Sequence, residues 1–181
     1  MTDRIFEAFL LRQQDEALAL AHDSDLLHLV PFGEPADRYL ALFGCTGLVR
    51  EAAGEIAEAN HFEVGISLPS DYLRRANTFR VLTWLGPRHV WHPNISDHLP
   101  AICVGHLAPG TSLVDILYQV FEIITWNKFN MREDEALNPA ACQWARASQA
   151  RLPVDRRPLK RRALELRVED LSERSRADGS A

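Results

Sequence analysis

A chain of 181 residues is long enough for one domain with a proper core and a tail. An apolar fraction of 46% and a charged fraction of 25% are ordinary for a globular protein, and no apolar run approaches the roughly 20 residues of a membrane helix. The net charge of −5 is uneven: residues 151–167 hold seven Lys/Arg against Asp155 and Glu165, so the body before them is acidic, which argues against a nucleic-acid groove there.

In chain order, residues 3–21 read as a helix capped by Thr2 or Asp3. Ile5, Phe6, Phe9, Leu10, Ala17, Leu18 and Ala21 recur in it at three- and four-residue steps. Leu26 to Phe32 is a short apolar run in which Pro31 suits an edge strand. Residues 38–44 read as a second strand. Residues 49–60, rich in Ala and Glu, are too many for a tight hairpin and suggest a helical turn. His61 to Leu68 alternates apolar with small or polar residues without a miss and is the third strand; Phe79 to Leu85 reads as the fourth. Turns or loops alone separate these strands, so an antiparallel meander is expected.

From Gly86 to Gly110 no periodicity survives, and Pro87, Pro93, Pro100 and Pro109 forbid a long helix or inner strand. A loop of that length inside a compact domain is usually functional. A second helix begins at Thr111 or Ser112, where Ser112 and Asp115 resemble a capping box, and buries Leu113, Ile116, Leu117, Val120 and Ile124. A third begins at Asn138-Pro139, runs to about Gln149, and buries Ala141, Trp144 and Ala145. The whole is an α+β domain over residues 1–150, with helices segregated from one antiparallel sheet. Residues 151–181 form a basic and then polar extension, read as a solvated, fraying segment.

Cys45, Cys103 and Cys142 are too few and too irregularly spaced for a disulfide framework or a structural zinc site. Cys45 ends an apolar strand and Cys142 lies on a helix face, so both are expected to be buried. Cys103, in the Pro-rich loop, is the accessible thiol, and a thiolate is the form that attacks a carbonyl. Histidines 89, 92, 98 and 106 gather near it in sequence, but their spacing matches no metal motif and no metal is expected. His98 and His106 stand as candidates to tune Cys103. Trp84, Trp91, Trp126 and Trp144 read as packing residues. The absence of a Gly-rich phosphate loop leaves no cofactor to expect, ATP included. Asp3 and Glu7 interrupt any signal-peptide pattern at the N-terminus, so the cytoplasm is the expected compartment.

Four short stretches carry a resemblance: Leu68-Pro69-Ser70-Asp71-Tyr72, His92-Pro93-Asn94-Ile95, Ile102-Cys103-Val104 and Leu137-Asn138-Pro139-Ala140-Ala141. In their order and setting they resemble the ubiquitin-conjugating enzymes over about residues 3–150. A His-Pro-Asn tripeptide followed at nine residues by a cysteine between aliphatics, after four strands and before a helix, is the most specific part. The sequence departs from the family pattern in three ways. The spacing from Asn94 to Cys103 is one residue longer than usual, the link from Cys103 to the next helix is shorter and lacks the family's tryptophan, and the hairpin between strands two and three becomes residues 47–60. The Ala-rich character looks most like bacterial relatives in operons with ubiquitin-like modifiers and activating enzymes, some of them antiphage.

The resemblance implies that Cys103 accepts a ubiquitin-like modifier as a thioester from a separate activating enzyme and passes it to an amine on a target protein, with or without a ligase. It implies that Asn94 either donates to the oxyanion or braces the loop, and that His92 shapes the loop rather than acting as a base. By alignment on Leu137 and Pro139, Glu135, with Asp134 beside it, would orient the attacking amine, against the plainer reading of a solvated charged loop. Helix 3–21 would be the docking face for the activating enzyme, although Arg4 and Arg12 mix there with Asp3, Glu7, Asp15 and Glu16. The other readings are a non-catalytic adaptor that holds a modifier or partner, and a small cysteine hydrolase, for which no supporting third residue can be named. Neither nucleic acid nor membrane is an expected partner.

Overall fold

The computed structural model describes residues 3–161. Asp3 caps the first helix, α1 (Arg4–His22), through its Oδ1, which accepts the Ile5 amide at 3.0 Å. The stripe Phe9, Leu10, Ala17 and Leu20 faces inward. Strands β1 (Leu27–Gly33), β2 (Ala36–Phe43), β3 (Gly47–Arg50), β4 (Ile56–Ala59) and β5 (Phe62–Ser67) follow. A single helical turn, α2 (Thr78–Val81), then leads into β6 (Leu82–Gly86). After a long loop come α3 (Leu113–Ile124) and α4 (Pro139–Ala147), with a 3-10 turn at Glu133–Glu135 between them.

The main sheet is four-stranded and antiparallel throughout, in the order β1-β2-β5-β6. Alternation decides its faces: Phe62, Val64 and Ile66 of β5 point into the core, and Glu63, Gly65 and Ser67 point out. β1 is an edge strand, so Pro31, which has no amide to donate, costs no ladder bond between two neighbours. On the inner face α1 packs against α3, β1 and β2. Buried Gln13 of α1 accepts the Leu113 amide at 2.6 Å and so caps the first turn of α3 from a distance of 100 residues.

Three expectations about the elements need correction. Residues 49–60 are not a helical turn: β3 and β4 form their own hairpin, a separate two-stranded sheet inserted in the meander between β2 and β5. Strand four does not begin at Phe79, because Asn77 Oδ1 accepts the Phe79 amide at 2.9 Å and starts a helical turn instead. The basic segment does not fray over its described part. Val154 N donates to Thr125 O, Leu159 is buried, Lys160 pairs with Asp23, and Arg161 pairs with Asp25 and donates to His22 O. Residues 162–181 of that segment lie outside the described residues.

Candidate active site

The loop after β6 is built by pairing rather than by periodicity. Its ascending limb is zipped to β3: Arg50 N donates to His89 O and Trp91 N donates to Leu48 O, each at 2.8 Å. The inserted hairpin therefore serves as a wall for the loop. The His92-Pro93-Asn94 tripeptide turns back so that Ile95 N meets His92 O at 3.2 Å. A narrow antiparallel ladder then forms, with Cys103 N on Asn94 O at 2.8 Å, a bridge between Ile95 and Ile102, and Ser96 N on Ala101 O at 3.0 Å. The turn closing it is organised by Ser96 Oγ, which accepts the amides of His98 and Leu99. With the turn closed in this way, Cys103 stays paired with Asn94.

Asn94 makes the tightest set of contacts. Its Nδ2 donates to Cys103 O at 2.8 Å and its Oδ1 accepts the Asn130 amide at 2.8 Å. With the backbone bond from Cys103, the side chain and main chain of one residue grip both ends of another. Here the side-chain amide braces the loop and is already engaged.

His92 is buried, its Nδ1 accepts the Asn94 amide at 3.0 Å, and its ring lies 4.4 Å from that of Trp126. Burial pushes its pKa down to about 3, against the pull of the Lys128 backbone. It is a neutral, structural imidazole. The other nearby histidines, 89, 98 and 106, are exposed, and His98 pairs with Asp97 at 3.4 Å. Among the described residues no group of three or more His, Cys, Asp or Glu is placed to hold a metal ion.

Of the three thiols, Cys45 and Cys142 are buried and Cys103 is partly open. Burial pushes the Cys45 thiol up to about 12, with the Asp155 carboxylate adding to it. Cys142 Sγ lies 3.4 Å from Asn130 O, inside the α4 contact.

The acidic turn is tied to the tripeptide at both ends. Asn130 N reaches Asn94 Oδ1, while Leu137 N and Asn138 N donate to Pro93 O at 2.8 and 3.2 Å. Asp134 and Glu135 stand exposed on it, and both are held by Arg132, at 3.0 and 2.7 Å. Sequence reasoning missed three residues of this site. Asn130, Lys128 and Thr78 lie 36, 24 and 27 positions from the loop groups they hold. The one signal available was a lone lysine in the turn that follows the apolar end of α3.

This architecture, an N-terminal helix, a four-stranded antiparallel sheet, a long loop and C-terminal helices, is that of the ubiquitin-conjugating fold. A solved structure titled "Novel Ubiquitin-Conjugating Enzyme" matches it with a TM-score of 0.53 over 79% of this chain and 86% of that one, at 15% sequence identity. No protein-family model and no curated protein sequence matches the chain. No helix among the described residues is long and apolar enough to cross a membrane.

Proposed function

We propose that the protein carries a ubiquitin-like modifier as a thioester on Cys103 and transfers it to an amine. The observation that carries this reading is the ladder that sets Cys103, the one partly open thiol, against Asn94 of the His-Pro-Asn turn. In loading, the Cys103 thiolate attacks the carbonyl of a modifier thioester on an activating enzyme. A new C–S bond forms and the activating enzyme's thiolate leaves. In transfer, an amine attacks the Cys103 thioester, the C–N bond forms, and the Cys103 thiolate leaves. The amine's proton passes to a carboxylate, for which Glu135 and Asp134 are the candidates on the turn tied to Pro93. Partners on this reading are the modifier, an activating enzyme docking on α1, and a target protein or ligase. The unit we assign to this chemistry is residues 1–150, with 151–181 as its extension.

The test is incubation with an activating enzyme, its ubiquitin-like modifier and ATP, followed by gels with and without reductant. The expected result is a reductant-sensitive adduct that is lost in Cys103→Ala and kept in Cys45→Ala and Cys142→Ala. Modifier bound without any adduct would make the protein an adaptor. An adduct surviving Cys103→Ala would place the nucleophile elsewhere.

A further inference from the structure

The strap ends where the main sheet begins. Arg161 N donates to Asp23 O at 2.9 Å, its guanidinium donates to His22 O at 3.0 Å and pairs with Asp25, and Lys160 pairs with Asp23. Just after Asp25 the edge strand β1 sets out. Gly44 N donates to Leu26 O at 2.8 Å, so Leu26 and, by alternation, His28 and Val30 turn their backbone groups toward β2. Leu27, Leu29 and Pro31 turn theirs to the open side. Pro31 has no amide to offer. The amides of Leu27 and Leu29 and the carbonyls of all three residues have no hydrogen-bond partner among the described residues. The side chains of Leu27 and Leu29 are nevertheless buried. An unpaired row of this kind is a template for another strand. Beside it, Leu11 of α1 stands exposed over a cleft that it shares with Gly33 and Pro35 at the far end of β1. The sequence continues past Arg161, and in Leu164-Glu165-Leu166-Arg167-Val168-Glu169 apolar and charged residues alternate without a miss.

We propose that the open edge of β1 is a docking surface for the chain's own residues 163–169. Leaving Arg161 beside Asp25, that segment runs in the same direction as β1. Seven extended residues reach about 23 Å, which matches the length of β1 itself. Parallel pairing takes up the outward amides of Leu27 and Leu29. Leu164, Leu166 and Val168 extend the inner face of the sheet toward Leu11, and Glu165, Arg167 and Glu169 face outward beside the exposed His28 and Phe32. The occupant is the chain itself rather than a second copy, because Arg161 already holds the segment at the edge and pairing within one molecule needs no encounter between two.

The test is hydrogen exchange on the full chain, read at the amides of Leu27 and Leu29. Leu166→Asp puts a charge on the face that docking buries. Exchange at Leu27 and Leu29 is expected to speed up by about tenfold or more in that variant, while His28 and Val30, bonded to β2, keep the parent's rates. Ser172→Asp, beyond the alternating stretch, leaves all four rates unchanged. Rates at Leu27 and Leu29 that do not respond to Leu166→Asp overturn the proposal. So does protection in the parent that rises with protein concentration, which would give the edge to a second copy. Brief trypsin digestion of the unaltered chain is the second measurement. Cleavage after Arg167 is expected to be about tenfold slower than after Arg174, and equal rates overturn the proposal. Neither measurement involves Cys103 or a modifier, so the outcome is independent of the loading assay.

Discussion

His92 is 1% exposed and accepts the Asn94 amide, so in the folded protein it stays neutral down to about pH 3. An unfolded chain protonates the same imidazole near its ordinary value of about 6.5. Between those limits the unfolded state binds a proton that the native state refuses, so stability falls as pH drops from about 6.5 toward 3, by up to about 1.4 kcal/mol per pH unit from this group. His92→Asn keeps an acceptor for the Asn94 amide and removes the titration. It is expected to be less stable at pH 7 but flatter between pH 6.5 and 4 in a series of urea titrations. Parallel curves for variant and parent would put the acid sensitivity in another group. Asn94 is argued in the same way from what it touches. Asn94→Ala leaves the Cys103 carbonyl and the Asn130 amide without their partners, a loss of about 2–3 kcal/mol in unfolding free energy. If transfer fails in that variant while stability matches the parent, the amide returns to the oxyanion role and the brace is incidental.

At the scale of elements, the residues that close the fold are those least visible in the sequence. α1, β5 and α3 were legible because their apolar positions keep one period and their caps, Asp3 and Ser112, are of the preferred type. The β3–β4 hairpin was not. Each strand is four residues long, the second is Ile-Ala-Glu-Ala with no alternation to read, and its partner for the loop, Trp91, lies far along the chain. Trp144 was expected to be buried in α4 but is only partly so, because Arg151 stacks over its ring at 5.6 Å in place of core atoms. The candidate site divides the same way. Cys103, Asn94 and His92 were legible as a motif, while Asn130, which holds Asn94, and Lys128, which holds Val104, come from a turn with no periodicity. The strap at 152–161 is a third case. Asp155, 5% exposed, accepts Thr46 N at 2.8 Å and is gripped by Arg157 at 2.6 Å. Burial alone would raise its carboxyl, but the Arg157 guanidinium and the Thr46 amide outweigh it and hold the pKa at about 2. Its contribution is present above about pH 4 and is lost as pH falls through about 2. Asp155→Ala leaves Thr46 N unpaired and is expected to cost about 2–3 kcal/mol at pH 7. Calorimetry checks this, and an unshifted melting temperature would mean the strap rests on Leu159 alone.

The described residues form two cores, and the candidate site lies where they meet. The larger fills the space between the sheet, α1 and α3. The smaller gathers Leu48, Trp91, Trp126, Ala141 and Ala145, with Ile56, Phe129, Trp144, Leu152 and Val154 around them. Those residues come from the hairpin, the ascending limb of the loop, the turn after α3, α4 and the start of the strap. None belongs to the main sheet. His92, against Trp126, is the joint between this smaller core and the tripeptide. Rigidity of the Cys103 loop should therefore depend on the smaller core, and the two cores should open separately. Leu48→Ala tests this away from every group assigned to chemistry. Emptying a fully packed leucine costs about 2–5 kcal/mol. In native-state hydrogen exchange the loss should fall on the amides of Trp91, Cys103 and Asn130, whose acceptors are Leu48 O, Asn94 O and Asn94 Oδ1. Amides of the β2–β5 ladder should keep their protection, because Ala41 and Val64 pair within the larger core. Equal loss across both sets would show a single cooperative body, in which the loop owes its order to the sheet. Loss confined to the first set would make the inserted hairpin and α4 the framework that holds Cys103 against Asn94.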